Sequence, residues 1–173
     1  KYYKKESVVI HPPVNVENFY ISKKPEDYFL MVGRLLAYKR HDIAIQAFNQ
    51  LGLKLKIIGR GPEFKRLKKL AGPNIEFLGR VPDEKIADYY AKCQAFIFPQ
   101  EEDFGIVAIE AMASGRPVIA FRSGDIIENM EEDKVGIFFD EQTSESIVDA
   151  IRRFQKKRFN SEYIREKSKK FDK

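Results

Sequence analysis

The chain has 173 residues, 43% hydrophobic and 33% charged, with 31 Lys and Arg against 26 Asp and Glu, one cysteine and no tryptophan. That length fits one domain whose core needs no disulfide or structural metal, and a lone Cys93 can neither close an internal disulfide nor complete a zinc site, so the chain reads as intracellular. No apolar run approaches the roughly 18 residues that cross a bilayer, and a net charge of +5 spread over mixed signs suits a phosphate-bearing ligand rather than nucleic acid.

Short apolar runs at 8–10, 28–33, 53–59, 74–79, 94–99, 116–121 and 135–139 are predicted strands. Helical periods fall between them. Ile43, Ala44, Ala47, Phe48 and Leu51 share one face, then Ile86, Tyr89, Tyr90 and Cys93, then Ile147, Val148, Ile151 and Phe154. This alternation predicts a doubly wound α/β fold with a parallel sheet, whose ligand lies beyond the carboxyl ends of the strands. His11-Pro12-Pro13-Val14-Asn15 reads as an extended linker, since each proline fixes its own φ and keeps the preceding residue out of helix. At the far end, 161–172 is a lysine-rich helical tail with few apolar anchors, Tyr163, Ile164 and Phe171, and is expected to need another surface to pack on.

The strongest chemical signal is the stretch 101–120, Glu-Glu-Asp-Phe-Gly-Ile-Val-Ala-Ile-Glu-Ala-Met-Ala-Ser-Gly-Arg-Pro-Val-Ile-Ala. A helix opening here aims the free N–H groups of Phe104, Gly105, Ile106 and Val107 out of the crevice, where they suit an anion. Glu102 in the loop and Glu110 in the helix can each accept from paired sugar or ribose hydroxyls. The spacing equally allows a plainer reading, with Glu101, Glu102 and Asp103 complementing the helix dipole and Glu110 solvated.

Gly33-Arg34-Leu35-Leu36-Ala37-Tyr38-Lys39-Arg40 is a second cluster. It places Arg34 at a strand end and Lys39 in the first turn of a helix, where a cation opposes the dipole unless an anion binds beside it; an exposed basic turn is the alternative. Gly59-Arg60-Gly61-Pro62 lacks the third glycine of a dinucleotide fingerprint and reads as a tight turn in which Pro62 starts a helix, with a phosphate loop as the alternative. Ser123-Gly124-Asp125 either offers N–H groups to the crevice or caps a helix over 125–130. His11 and His41 have no partners at metal-ligand spacing, and Lys65, Arg66, Lys68 and Lys69 read as a solvated helix face.

Taken in order, these residues resemble the retaining, nucleotide-sugar-dependent glycosyltransferases of family 4. The resemblance spans roughly 8–155 and rests on the Glu102 to Glu110 motif, Gly33-Arg34-Leu35 with Lys39, Ile58-Gly59-Arg60-Gly61-Pro62, Phe77-Leu78-Gly79 and Ser123-Gly124. It implies the C-terminal, Rossmann-like half of a two-domain GT-B fold: a donor-binding domain at 1–160 with its linker at the start, and the tail 161–173 directed towards a missing N-terminal domain. It further implies that Gly33, Arg34 and Lys39 hold a donor diphosphate together with the amides of Phe104, Gly105, Ile106 and Val107. Glu110 then binds the ribose, Glu102 the transferred sugar, and 78–81, including Leu78 and Arg80, borders the base. The single glycine in Ser123-Gly124-Asp125, where many relatives have two, departs from the family pattern and bears on the donor-sugar contacts.

The implied substrates are a GDP- or UDP-linked sugar, GDP-mannose first, and a glycan or lipid-linked acceptor met through the missing domain. Neither a cofactor nor a metal is expected, because two cations and a helix terminus neutralise the leaving group. The expected location is the cytoplasm, with peripheral membrane association of the full-length enzyme. Without the acceptor half, this domain by itself is expected to transfer no sugar. A non-catalytic nucleotide-binding or interaction module, or an enzyme using a sugar phosphate, shares the fold and remains an alternative at this point.

Overall fold

A computed structural model describes residues 12–172. Six strands, β1 (Phe29–Val32), β2 (Leu55–Ile58), β3 (Ile75–Gly79), β4 (Phe96–Phe98), β5 (Val118–Phe121) and β6 (Gly136–Phe139), form one sheet in the order β3-β2-β1-β4-β5-β6. Every pairing is parallel. Each strand lies inside its predicted run; the run at 8–10 lies outside the described residues.

Strands β1, β4, β5 and β6 are apolar because both faces of the sheet are covered there, while β2 and β3 at one side carry Lys56 and Glu76. Alternate residues serve opposite cores. Phe29, Met31, Ile97, Ile119, Ile137 and Phe139 point into one, beneath α1 (His41–Leu51), α2 (Phe64–Leu70) and α6 (Ser144–Gln155). Leu30, Phe96, Phe98, Val118, Ala120 and Phe138 point into the other, beneath α3 (Asp83–Lys92), α4 (Ile106–Ala113), α5 (Ile126–Asn129) and α7 (Ser161–Ser168). Each isoleucine or phenylalanine buried this way contributes about 1.5–3 kcal/mol relative to an exposed one.

The tail finds its packing surface within the domain. Asn160 caps α7 by accepting from the Tyr163 N–H at 3.1 Å, and Ile164 and Phe171 are buried in the α4 core. Arg165 donates to the carbonyls of Ala113 at the end of α4 and Phe19 in the leading segment. That segment is held to the tail in turn: the Val14 N–H donates to the Phe171 carbonyl at 2.8 Å and the Val16 N–H to Asp172 at 3.1 Å. No described helix is long and apolar enough to cross a membrane.

One topological fact sets the position of the site. The chain winds outward from β1 to β2 and β3, then returns to place β4 on the other side of β1. At such a switch point the loops leaving adjacent strands diverge and open a crevice. Here those are the loop from Gly33 to α1 and the loop from Pro99 to α4.

Candidate functional site

The two loops at the switch point carry opposite charges into the crevice. Leaving β1, the chain makes a 3₁₀ turn at Ala37–Lys39, and Arg40 then takes a left-handed conformation (φ 51°, ψ 36°) before α1 starts at His41. Lys39 therefore sits in a separate turn ahead of the helix, not in its first turn as the sequence suggests. No glycine marks the break. Leaving β4, the loop carries Glu101, Glu102 and Asp103 to Gly105, whose φ of 76° starts α4. A methyl group there would sit 2.9 Å from the Phe98 ring, so glycine lets the helix begin directly over β4.

Lys39 Nζ forms an ion pair with Glu102 across the crevice. Both side chains are largely buried, at 13% and 20% exposure, and burial lowers the pKa of the Lys39 ammonium. Together with Tyr38 and the first turn of α4, including Gly105, Ile106 and Val107, they line a cleft of about 420 Å³. N–H groups at the start of a helix have no intrahelical acceptor, so this end of the cleft favours an anion.

Three contacts brace the loops. Arg40 donates from Nη1 to Gln142 Oε1 at 3.5 Å and from Nη2 to the Gln142 carbonyl at 3.3 Å. Gln142 Nε2 donates to the Pro99 carbonyl at 2.8 Å, tying the Lys39 turn to the start of the Glu102 loop. Behind that loop lies Gly124, at φ 71°, where any Cβ would overlap the Glu102 carbonyl oxygen. The Asp125 side chain does not cap α5, so Ser123-Gly124 acts as a backstop for the Glu102 loop.

Glu110, the one ionisable residue of α4, lines a second cavity of about 650 Å³. Ile106 lines both this cavity and the first, so the two adjoin along one helix. The plainer reading of a solvated Glu110 does not hold. It is half-buried and accepts from the fully buried Tyr90 hydroxyl at 2.8 Å. Burial raises its pKa above the ordinary glutamate value; the Tyr90 hydrogen bond opposes the rise and Asp83 adds to it.

Arg34 lines a different cavity from Lys39. With Gly33 and Arg80 it lines a third cavity, of about 400 Å³, over the ends of β1, β2 and β3, and Arg60 stands with them. The side chains of Arg34, Arg60 and Arg80 have no acidic partner among the described residues. Leu78 is half-buried against the core that holds Phe98. Arg60, Arg40, Gln142 and Tyr90 are the site residues that sequence reasoning missed. Of these only Arg60 carried a signal, a cation between two glycines directly after a strand. Among the described residues no three His, Cys, Asp or Glu side chains are grouped to hold a metal ion.

This arrangement can be set beside known proteins. A glycosyltransferase of Methanocaldococcus jannaschii, itself uncharacterized, is 31% identical over 97% of this chain and 50% of its own length. The GDP-mannose-dependent alpha-(1-6)-phosphatidylinositol monomannoside mannosyltransferase of Mycobacterium tuberculosis is 30% identical over 69% of this chain and 36% of its own. The crystal structure of Anabaena HepE in complex with UDP and glucose superimposes with a TM-score of 0.82 at 20% identity, covering 95% of this chain and 52% of that one. This chain thus spans half or less of the length of these two sequence relatives, and its sheet and flanking helices match the C-terminal domains of GT-B glycosyltransferases. The profile of the family described as glycosyl transferases group 1 covers residues 2–171, and the chain belongs to that family.

Proposed function

We propose that this domain binds the nucleotide-sugar donor, GDP-mannose or a UDP-sugar, for a retaining glycosyl transfer of the family 4 type to a glycan or lipid-linked acceptor. The observation that carries the reading is the pairing of Lys39 with Glu102 beside the N-terminus of α4, with Glu110 about one helical turn into the same helix. A diphosphate needs cations and free N–H groups; a sugar and a ribose need carboxylates. In this reading the diphosphate lies between Lys39 and the α4 amides, with Arg34 at its edge. Glu102 faces the transferred sugar, Glu110 takes the ribose hydroxyls, and the base lies towards Arg80.

The chemistry asked of these residues is electrostatic. As the bond from the sugar C1 to the diphosphate oxygen breaks, charge accumulates on the leaving group, where Lys39 and the helix N-terminus already point. The acceptor oxygen forms its bond to C1 on the face the diphosphate leaves, and its proton passes to a phosphate oxygen. The relative named for GDP-mannose and the neighbour solved with UDP and glucose support a nucleotide-sugar donor.

Calorimetry tests the reading. Lys39→Ala and Arg34→Ala are each expected to weaken GDP or UDP binding by about 1.5–3 kcal/mol, the range for hydrogen bonds to charged groups, and to leave the plain nucleoside unaffected. Equal losses for nucleotide and nucleoside would overturn it.

A further inference from the structure

We infer that Tyr90 is a positioning residue for the ribose-binding step, holding the Glu110 carboxylate in the orientation that accepts two vicinal hydroxyls. This rests on the assignment of Glu110 to the ribose. The geometry is specific. Tyr90 projects from α3, is fully buried, and donates its hydroxyl to Glu110 Oε2 at 2.8 Å. Its ring is fixed on two sides, edge-on to Phe19 at 5.6 Å and tilted against Phe96 at 5.5 Å. A flexible carboxylate is thereby anchored through one oxygen to a packed ring, in a residue that also lines the cavity.

Two further observations give the contact a function beyond packing. Glu110 is the one ionisable side chain in a helix whose other residues are all apolar, so its retention there costs desolvation that a leucine would avoid. Ionised, the carboxylate accepts through both oxygens; protonated, it turns one of them into a donor and holds two hydroxyls less well. The titratable groups facing Glu110 are Tyr90, Asp83 and Glu84, all on α3; the segment 13–19 adds only neutral groups to the cavity wall. Burial raises the Glu110 pKa, Asp83 raises it further, and the Tyr90 hydroxyl is the group that lowers it. Burial and Glu110 keep the phenol protonated and therefore a donor. Without that hydroxyl the carboxylate loses both its orientation and part of its ionisation, and an ordinary apolar residue at position 90 would supply neither.

The test compares GDP and UDP with their 2′,3′-dideoxy counterparts, which keep the diphosphate and base and lack the hydroxyls. Wild type is expected to prefer the ribose form at least tenfold, Glu110→Ala to show no preference, and Tyr90→Phe to lose most of the preference while binding the dideoxy form as wild type does. The acid limb of ribonucleotide affinity should also move to higher pH in Tyr90→Phe, since the Glu110 pKa rises. In the Glu110→Ala background Tyr90→Phe should have no further effect. A wild type without ribose preference refutes the assignment of Glu110 itself. A preference abolished by Glu110→Ala but intact, with an unmoved acid limb, in Tyr90→Phe refutes the role of Tyr90 alone. Equal loss for ribose and dideoxy ligands in Tyr90→Phe assigns the hydroxyl to packing and also refutes the inference.

Discussion

If Lys39 is the diphosphate cation, as proposed above, its pairing with Glu102 sets carboxylate and diphosphate in competition. In the open cleft Lys39 is paired with Glu102, so a nucleoside diphosphate has to displace that carboxylate or share the ammonium with it. Glu102→Gln keeps the side chain's size and removes its charge. Fully exposed ion pairs are worth about 0.2–1 kcal/mol and hydrogen bonds to charged groups about 1.5–3 kcal/mol. A pair with exposures of 13% and 20% lies between these ranges. Releasing Lys39 should therefore tighten nucleoside diphosphate binding by about 1 kcal/mol, roughly fivefold. Calorimetry with GDP and UDP reads this directly, with the nucleoside as an unchanged control. The intact donor should gain less than the free diphosphate, because it also loses the carboxylate contact to its sugar. If Glu102→Gln binds the diphosphate no tighter than wild type, Lys39 is not the diphosphate cation, or Glu102 does not compete for it.

Two further predictions concern the turn that carries Lys39. His41 is buried, and burial, followed by the neighbouring Lys39, lowers its pKa to about 4, with Asp42 opposing. The unfolded chain therefore takes up a proton first: the contribution is complete above about pH 6.5 and is lost as pH falls from there towards 4, in total up to about 3 kcal/mol. Urea midpoints measured across that window should fall for wild type and fall less for His41→Gln; identical slopes would exclude His41 as the source. At Arg40, Ala and Gly substitutions both remove the bonds to Gln142, but only Gly relieves the left-handed backbone, by about 1–2 kcal/mol. Arg40→Ala should unfold at lower urea than Arg40→Gly, by about 1 kcal/mol, and equal midpoints would show that the conformation carries no strain.

The sheet was legible because its strands are buried on both faces. Runs such as Phe96-Ile97-Phe98 and Val118-Ile119-Ala120 have no polar side to confuse with a surface helix. The Glu102 to Glu110 stretch was legible for a related reason, since a charge inside the apolar α4 has no structural excuse. The start of α1 was misplaced because Arg40 holds a position that glycine usually marks. Tyr90 read as one member of an apolar stripe, and nothing local reveals that its hydroxyl meets a carboxylate 20 positions away. Gln142 bridges segments separated by 102 and 43 residues, a relationship that exists only after the sheet has formed. Arg34 and Lys39 lie five positions apart in sequence yet line different cavities, because the 3₁₀ turn between them redirects the chain.

The contact between Val14 and the Phe171 to Asp172 corner gives the domain a mechanical property. The leading and trailing segments are fastened side by side as a parallel pair, so a pull on either is shared by the other. Pro13, Val14 and Asn15 are also one wall of the cavity that Glu110 lines. The strap that joins the two segments is thus also part of the frame around Glu110, and a substitution that loosens it disturbs both.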